Sequence, residues 1–183
     1  MKKFKKLVAL ILVGVMAMAM LTACGGGGGG SKSFATEVED AVFSVYSQAF
    51  GVKTNDAEAK KLAQTALGYV KDGKFYRTDL LNHCMTTDEA KKQIMFAMPI
   101  PAEDAEENDN YYTVMEITPE MLAELKATNI PAEDIGEIRD MIKELETAGA
   151  KMTGLGVAAK TINGKTYVAF GIKMEIDINK LPQ

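Results

Sequence analysis

The 183-residue chain predicts an α+β fold: an antiparallel sheet with a C-terminal β-hairpin, sandwiched by helices in an α-β-α arrangement. The clearest sign lies at the end of the chain. Asn163-Gly164 is the preferred pair for a two-residue hairpin turn, because both positions take positive φ. From Val168 the even positions are Phe170, Ile172, Met174, Ile176 and Ile178, while the odd ones include Lys173, Glu175, Asp177 and Asn179. That is the period of a strand. The second sign is a set of apolar residues at helical spacing in the first half. The third is their order: helices come mostly before strands, as in α+β folds, rather than alternating with them.

The first residues form a separate unit. Lys2, Lys3, Lys5 and Lys6 precede a 14-residue uncharged apolar run, Leu7 to Met20. As a helix at ~1.5 Å per residue the run spans roughly 21 Å, short of the ~30 Å hydrocarbon core of a bilayer. A permanent span needs a longer run, so residues 1–23 read as a signal peptide. Leu21-Thr22-Ala23-Cys24 follows directly, a large apolar residue and two small ones before a cysteine, and resembles the lipobox of bacterial lipoproteins. The resemblance implies that the Cys24 thiol carries diacylglycerol and that the bond before it is cut. The chain would then be lipid-anchored on the extracytoplasmic face of the cell membrane. Two acyl chains, at ~0.8 kcal/mol per buried methylene, suffice for stable anchoring.

Residues 24–33 read as a tether. The unbroken run Gly25 to Gly30 has no side chain to bury and maximal backbone freedom. A phosphate-binding loop does not fit, since no strand precedes the run and no Lys-Ser/Thr closes it. With Cys24 taken by lipid, Cys84 is the sole remaining thiol, so residues 34–183 form one domain held by its core alone. The first 23 residues hold four lysines and no acid, which leaves 17 basic against 25 acidic residues from Cys24 onward, a net charge of −8. Such a domain repels phosphate backbones and anionic headgroups. Nucleic acid is therefore not expected as a partner, nor is membrane attachment through a basic patch.

Within the domain, Thr36 with Glu39 has the letters of a capping box, and Val38, Ala41, Val42, Val45, Tyr46 and Ala49 predict a helix that ends at Gly51. Asn55 with Glu58 repeats the device, and Leu62, Ala63, Ala66, Leu67 and Val70 predict a second helix that stops by Gly73. Gly73 to Asp79 reads as irregular or briefly extended. Thr86 with Glu89 predicts a third helix, ended before Pro99. Ile100 to Asn110 is a Pro- and acid-rich loop, and Tyr111 to Ile117 has the aromatic and β-branched content of a strand. Thr118-Pro119-Glu120 places Pro at a first helical position behind a capping threonine. After Ile130-Pro131, the residues Ile135, Ile138, Met141, Ile142 and Leu145 predict another amphipathic helix that ends near Gly149.

The hairpin register follows from the turn. If Ile162 and Lys165 flank it, residue 159 pairs with 168, 157 with 170 and 155 with 172. Ala159, Val157 and Leu155 then share a face with Val168, Phe170 and Ile172. The opposite face carries Gly154, Gly156, Ala158, Ala169 and Gly171, small enough to let a second layer approach closely. Both faces of the sheet are therefore expected to be covered.

Leu62-Ala63-Gln64 running into Gly73-Lys74-Phe75-Tyr76-Arg77-Thr78, the helix around Ile138-Arg139, and Thr153-Gly154-Leu155-Gly156-Val157-Ala158 followed by Tyr167-Val168-Ala169-Phe170-Gly171 together resemble the CAP (SCP/PR-1-like) superfamily. The resemblance implies an α-β-α sandwich. Members with an intact cavity present two histidines and two acids that can hold a metal. Here the position resembling the first histidine is Arg77, and the segment resembling the second shows Ile138-Arg139. The resemblance thus implies a degenerate domain whose metal tetrad is lost.

Few residues suggest chemistry on their own. His83 beside Cys84 invites a Cys-His nucleophile reading, but adjacent residues on a helix or strand point to different faces. A partly buried structural cysteine fits better. One histidine and two cysteines are too few for a zinc site. The acidic run Glu103 to Asp109 lacks the spacing of a calcium loop and reads as a solvated face. Of the eight methionines after Cys24, Met141, Met152 and Met174 sit at core-facing positions, while Met95, Met98 and Met115 could line a pocket. The ligand-binding candidates are Tyr76, Arg77 and Arg139. A guanidinium at Arg77 can hold a carboxylate bidentately beside the Tyr76 ring, although it could equally cap the second helix or pair with Asp79. No catalytic set, metal site or cofactor is expected. Two functions follow: a non-catalytic envelope lipoprotein that binds a cell-wall component, peptide or protein partner, or a degenerate or cryptic cell-envelope hydrolase.

Overall fold

The computed structural model describes residues 32–102, 110–127, 140, 143–144, 146–147 and 149–176. The signal-peptide, lipidation and tether readings of residues 1–31 lie outside them. So do the acidic loop, Arg139, and most of the helix expected around Ile135 to Leu145.

Helix α1 spans Phe34–Phe50 and ends where Gly51 turns left-handed. Its cap is Ser33, not Thr36: the Ser33 hydroxyl accepts from the Thr36 N–H at 3.2 Å. Glu39, the other half of the expected capping box, is drawn away by Lys60 and by the Ala159 N–H. Helix α2 spans Ala57–Gly68, and here too the cap is the neighbour of the expected residue. The Asp56 carboxylate accepts from the N–H groups of Glu58 and Ala59. Asn55 is committed elsewhere: its side chain donates to the Val157 carbonyl at 3.0 Å and accepts from the Val157 N–H at 2.8 Å.

Lys71 and Lys74 exchange backbone hydrogen bonds across Asp72 and Gly73, both at positive φ. This tight turn feeds strand β1, Lys74–Tyr76, and helix α3, Arg77–His83. The expected third helix is instead a hairpin of β2, Met85–Asp88, and β3, Gln93–Pro99. Two local features stop a helix there. The Asp88 carboxylate accepts from the Lys91 N–H, and Lys92 turns to φ +52°. Pairing of Gln93–Pro99 with the last strand then outweighs the helix-forming character of the segment. The expected strand at Tyr111 to Ile117 is two strands in two sheets: β4, Tyr111–Thr113, pairs with β1, and β5, Glu116–Ile117, joins the main sheet. Helix α4, Pro119–Ala127, begins as expected, with the Thr118 hydroxyl accepting from the Met121 N–H. Gly149, at φ +87°, donates to the Glu146 carbonyl and opens strand β6.

Strands β6, Ala150–Ile162, and β7, Lys165–Ile176, form the C-terminal hairpin. Its register is the expected one, with Ala159 opposite Val168, Val157 opposite Phe170 and Leu155 opposite Ile172, and a bulge at Thr153. The other side of β7 pairs with β3 and, at its start, with β5, while β2 lies outside β3. Helices cover both faces. Leu155, Val157 and Val168 pack with Val38, Val42 and Val45 of α1 and Leu122 of α4. Ala158, Tyr167 and Ala169 pack with Leu62, Ala63, Ala66 and Leu67 of α2. The fold is therefore the α+β sandwich expected.

The small-residue face decides how α2 sits. A Cβ on Gly156 would stand 2.0 Å from the Lys60 nitrogen, and one on Gly171 would stand 2.0 Å from the Ala59 carbonyl oxygen. Backbone lies on backbone. Lys173, largely buried on β7, anchors the start of the helix by pairing with Glu58 and, at 3.5 Å, with Asp56.

Candidate functional site

Of the candidates, Tyr76 ends strand β1 of the β1–β4 ribbon and Arg77 follows it directly. The ribbon's strands alternate faces, so Phe75 and Tyr112 turn inward, their rings 5.6 Å apart, and Phe75 is fully buried. Lys74, Tyr76 and Tyr111 share the outer face. The Tyr76 and Tyr111 rings stand opposite each other at 5.6 Å, tilted by 53°, and Tyr76 is exposed. The Lys74 ammonium lies 4.5 Å from the Tyr111 ring centroid and 3.5 Å from its hydroxyl. A lysine held over an aromatic face keeps its charge available to a second group.

Arg77 is the first residue of α3, and its backbone N–H donates to the Asn110 carbonyl at 2.9 Å. Its side chain pairs with neither Asp79 nor any other described carboxylate, and its Nε is buried with no hydrogen-bond partner among the described residues. Burial pushes the Tyr112 phenol well above its ordinary range, the Cys84 thiol adds to that, and the Arg77 charge opposes it. The Tyr112 hydroxyl donates to the Pro99 carbonyl at 2.8 Å. The structure thus joins Tyr76 to Lys74 and Tyr111, and lets the Arg77 charge bear on the inward-facing Tyr112. Lys74 and Tyr111 had no signal of their own in the sequence. The Asp72-Gly73 pair, a hairpin-turn signature, marked only the turn that feeds β1.

His83 and Cys84 do different things. The His83 ring stacks on Tyr69 at 4.6 Å and 3° between planes. Cys84 is fully buried, and burial, then the Asp79 charge, pushes its thiol up to about 11. At neutral pH it is therefore a thiol and not a nucleophilic thiolate. Among the described residues, no three of His, Cys, Asp or Glu converge to hold a metal ion. Of the methionines, Met115 is buried in the α1 core and Met95 lines a groove beside α2.

Comparison with protein-family models, with curated proteins and with solved structures finds no match to this chain.

Proposed function

We propose that the protein is a non-catalytic binding module of the cell envelope, held at the extracytoplasmic face through a lipidated Cys24, and that the β1–β4 ribbon with Arg77 receives an anionic ligand. The observation that carries this reading is the Arg77 Nε, withdrawn from water and without a hydrogen-bond partner among the described residues. Buried donors are almost always satisfied, because an unmade bond costs ~1–3 kcal/mol. Among the described residues no acceptor meets it, and a carboxylate or phosphate oxygen of a ligand would complete it. Lys74 adds a second cation on the outer face of the ribbon, and the exposed Tyr76 ring with the half-buried Tyr111 ring supplies a surface on which a sugar or peptide group can lie. The resemblance to a CAP domain with a lost metal tetrad fits a role in binding.

The full chain, purified in detergent, is to be titrated with disaccharide-peptide wall fragments and with short acidic peptides, with and without divalent metal. Saturable binding is expected, and Arg77→Lys should weaken it about tenfold by losing the planar fork. Metal-dependent turnover of any of these probes would overturn the reading.

A further inference from the structure

The sheet treats its two outer edges differently. On β6 the outward carbonyl of Leu155 accepts from the Asp56 N–H, both outward groups of Val157 bond to the Asn55 amide, and the Ala159 N–H reaches Glu39. That edge is covered along its middle, from Leu155 to Ala159. On the other side β2 is outermost. The Ala97 N–H donates to the Cys84 carbonyl at 2.8 Å, so residue 84 is a hydrogen-bonded pair with β3. Alternation along the antiparallel ladder then turns the N–H and C=O of Met85 and Thr87 outward, where no described residue meets them. The strand is short and ends in Asp88, but it carries no proline, no lysine and no bulge.

Beside this edge a groove of about 440 Å³ opens between α2 and the β2–β3 hairpin. Leu62 and Met95 give it apolar patches, and Thr86 and Thr87 form the strand side. Its carboxylates are already paired, Glu58 with Lys173 and Asp88 with Lys91. Lys61 has no carboxylate partner among the described residues. A domain of strongly acidic balance therefore turns an uncompensated cation toward an open strand edge. Leu81 and Met85, two of the three large exposed hydrophobics among the described residues, stand at the head of that strand.

We propose that the β2 edge and this groove bind an extended acidic peptide segment of a partner protein, added to the sheet as a further strand. Its backbone bonds to Met85 and Thr87, and one of its carboxylates reaches Lys61. The edge offers backbone bonds at only two residues, so the groove must supply the choice of side chains. This site is separate from the ribbon and does not depend on the reading given for it.

The probe is an N-acetylated heptapeptide of valine alternating with glutamate or threonine, titrated into the full chain in detergent. Saturable binding is expected, together with slowed amide exchange at Met85 and Thr87 and unchanged exchange at Thr86 and Asp88. Thr87→Pro removes one outward N–H and should weaken binding about tenfold. Should that variant fail to fold, N-methylation of the peptide tests the same bonds: methyls on one alternate set of nitrogens should abolish binding, and on the other set leave it. Lys61→Gln should weaken binding and flatten its dependence on salt. Absence of binding at millimolar peptide overturns the proposal. So does binding that leaves Met85 and Thr87 exchange unchanged, and so does protection that grows with protein concentration alone, which would mark the edge as a contact between two copies of this chain.

Discussion

Two hydrogen atoms set the distance between α2 and the sheet. Since a Cβ at Gly171 or Gly156 would fall 2.0 Å from α2 backbone, which cannot swing aside as a flexible side chain does, Gly171→Ala should force the helix off the sheet. The expected cost is at least the ~1–3 kcal/mol of an overpacked core, read as a lowered urea midpoint. Gly68→Ala is the control: nothing lies within 4 Å of that position, at the end of α2. It should be neutral or stabilise by up to ~1 kcal/mol through the helix preference of alanine. Phe170 is placed by period two on the core face, and it meets Tyr46 edge-on at 4.6 Å. It is only half-buried, however. Phe170→Ala should therefore cost about 2–3 kcal/mol, less than the ~3–5 kcal/mol of a fully enclosed ring.

At the scale of elements, Asn55 substitutes for a missing strand. Its amide reproduces both halves of a backbone pairing on β6, so Asn55→Ala should leave the Val157 N–H and C=O unpaired at ~1–3 kcal/mol, measured by denaturant unfolding. Asn55→Asp should be as damaging, because it sets a carboxylate oxygen against the Val157 carbonyl. The same residue explains what the sequence left hidden. Asn55 with Glu58 has the letters of a capping box, yet letters do not tell which of two adjacent polar residues the cap uses when a strand edge competes for one of them. Thr36 and Glu39 fail for the same reason, with Lys60 and Ala159 as the competitors. The hairpin at Asn163-Gly164 was legible to the exact partner because turn chemistry and period two fix register locally. The β2–β3 hairpin was not, since its strand character comes from β7, some 80 residues away in sequence. Of the candidate site, Tyr76 and Arg77 could be named from the sequence, but Tyr111 reaches Tyr76 only through the ribbon pairing.

Across the whole molecule, buried titratable groups and the charge balance each make a statement that can be checked. Burial holds the Cys84 thiol near 11 against an ordinary 9.0, and it raises the Tyr46 and Tyr112 phenols above their ordinary 10.0. In each case the folded state binds its proton more tightly than the unfolded one. Stability from these groups is thus complete below about pH 9 and falls as pH rises from 9 toward 11 and beyond. The unfolding midpoint should be flat near neutrality and drop on the alkaline side, and Cys84→Ser should remove the earliest part of that drop. The net charge of −8 after Cys24 bears on attachment. No described helix is long and apolar enough to cross a membrane, and an acidic domain gains nothing from anionic headgroups. The proposed anchor at Cys24 would then have no electrostatic substitute. Cys24→Ala should either release the chain to the aqueous phase on detergent partitioning or leave an uncleaved precursor that begins at Met1. Wild-type and mutant chains that partition alike, both with Met1 as their first residue, would show that Cys24 carries no lipid.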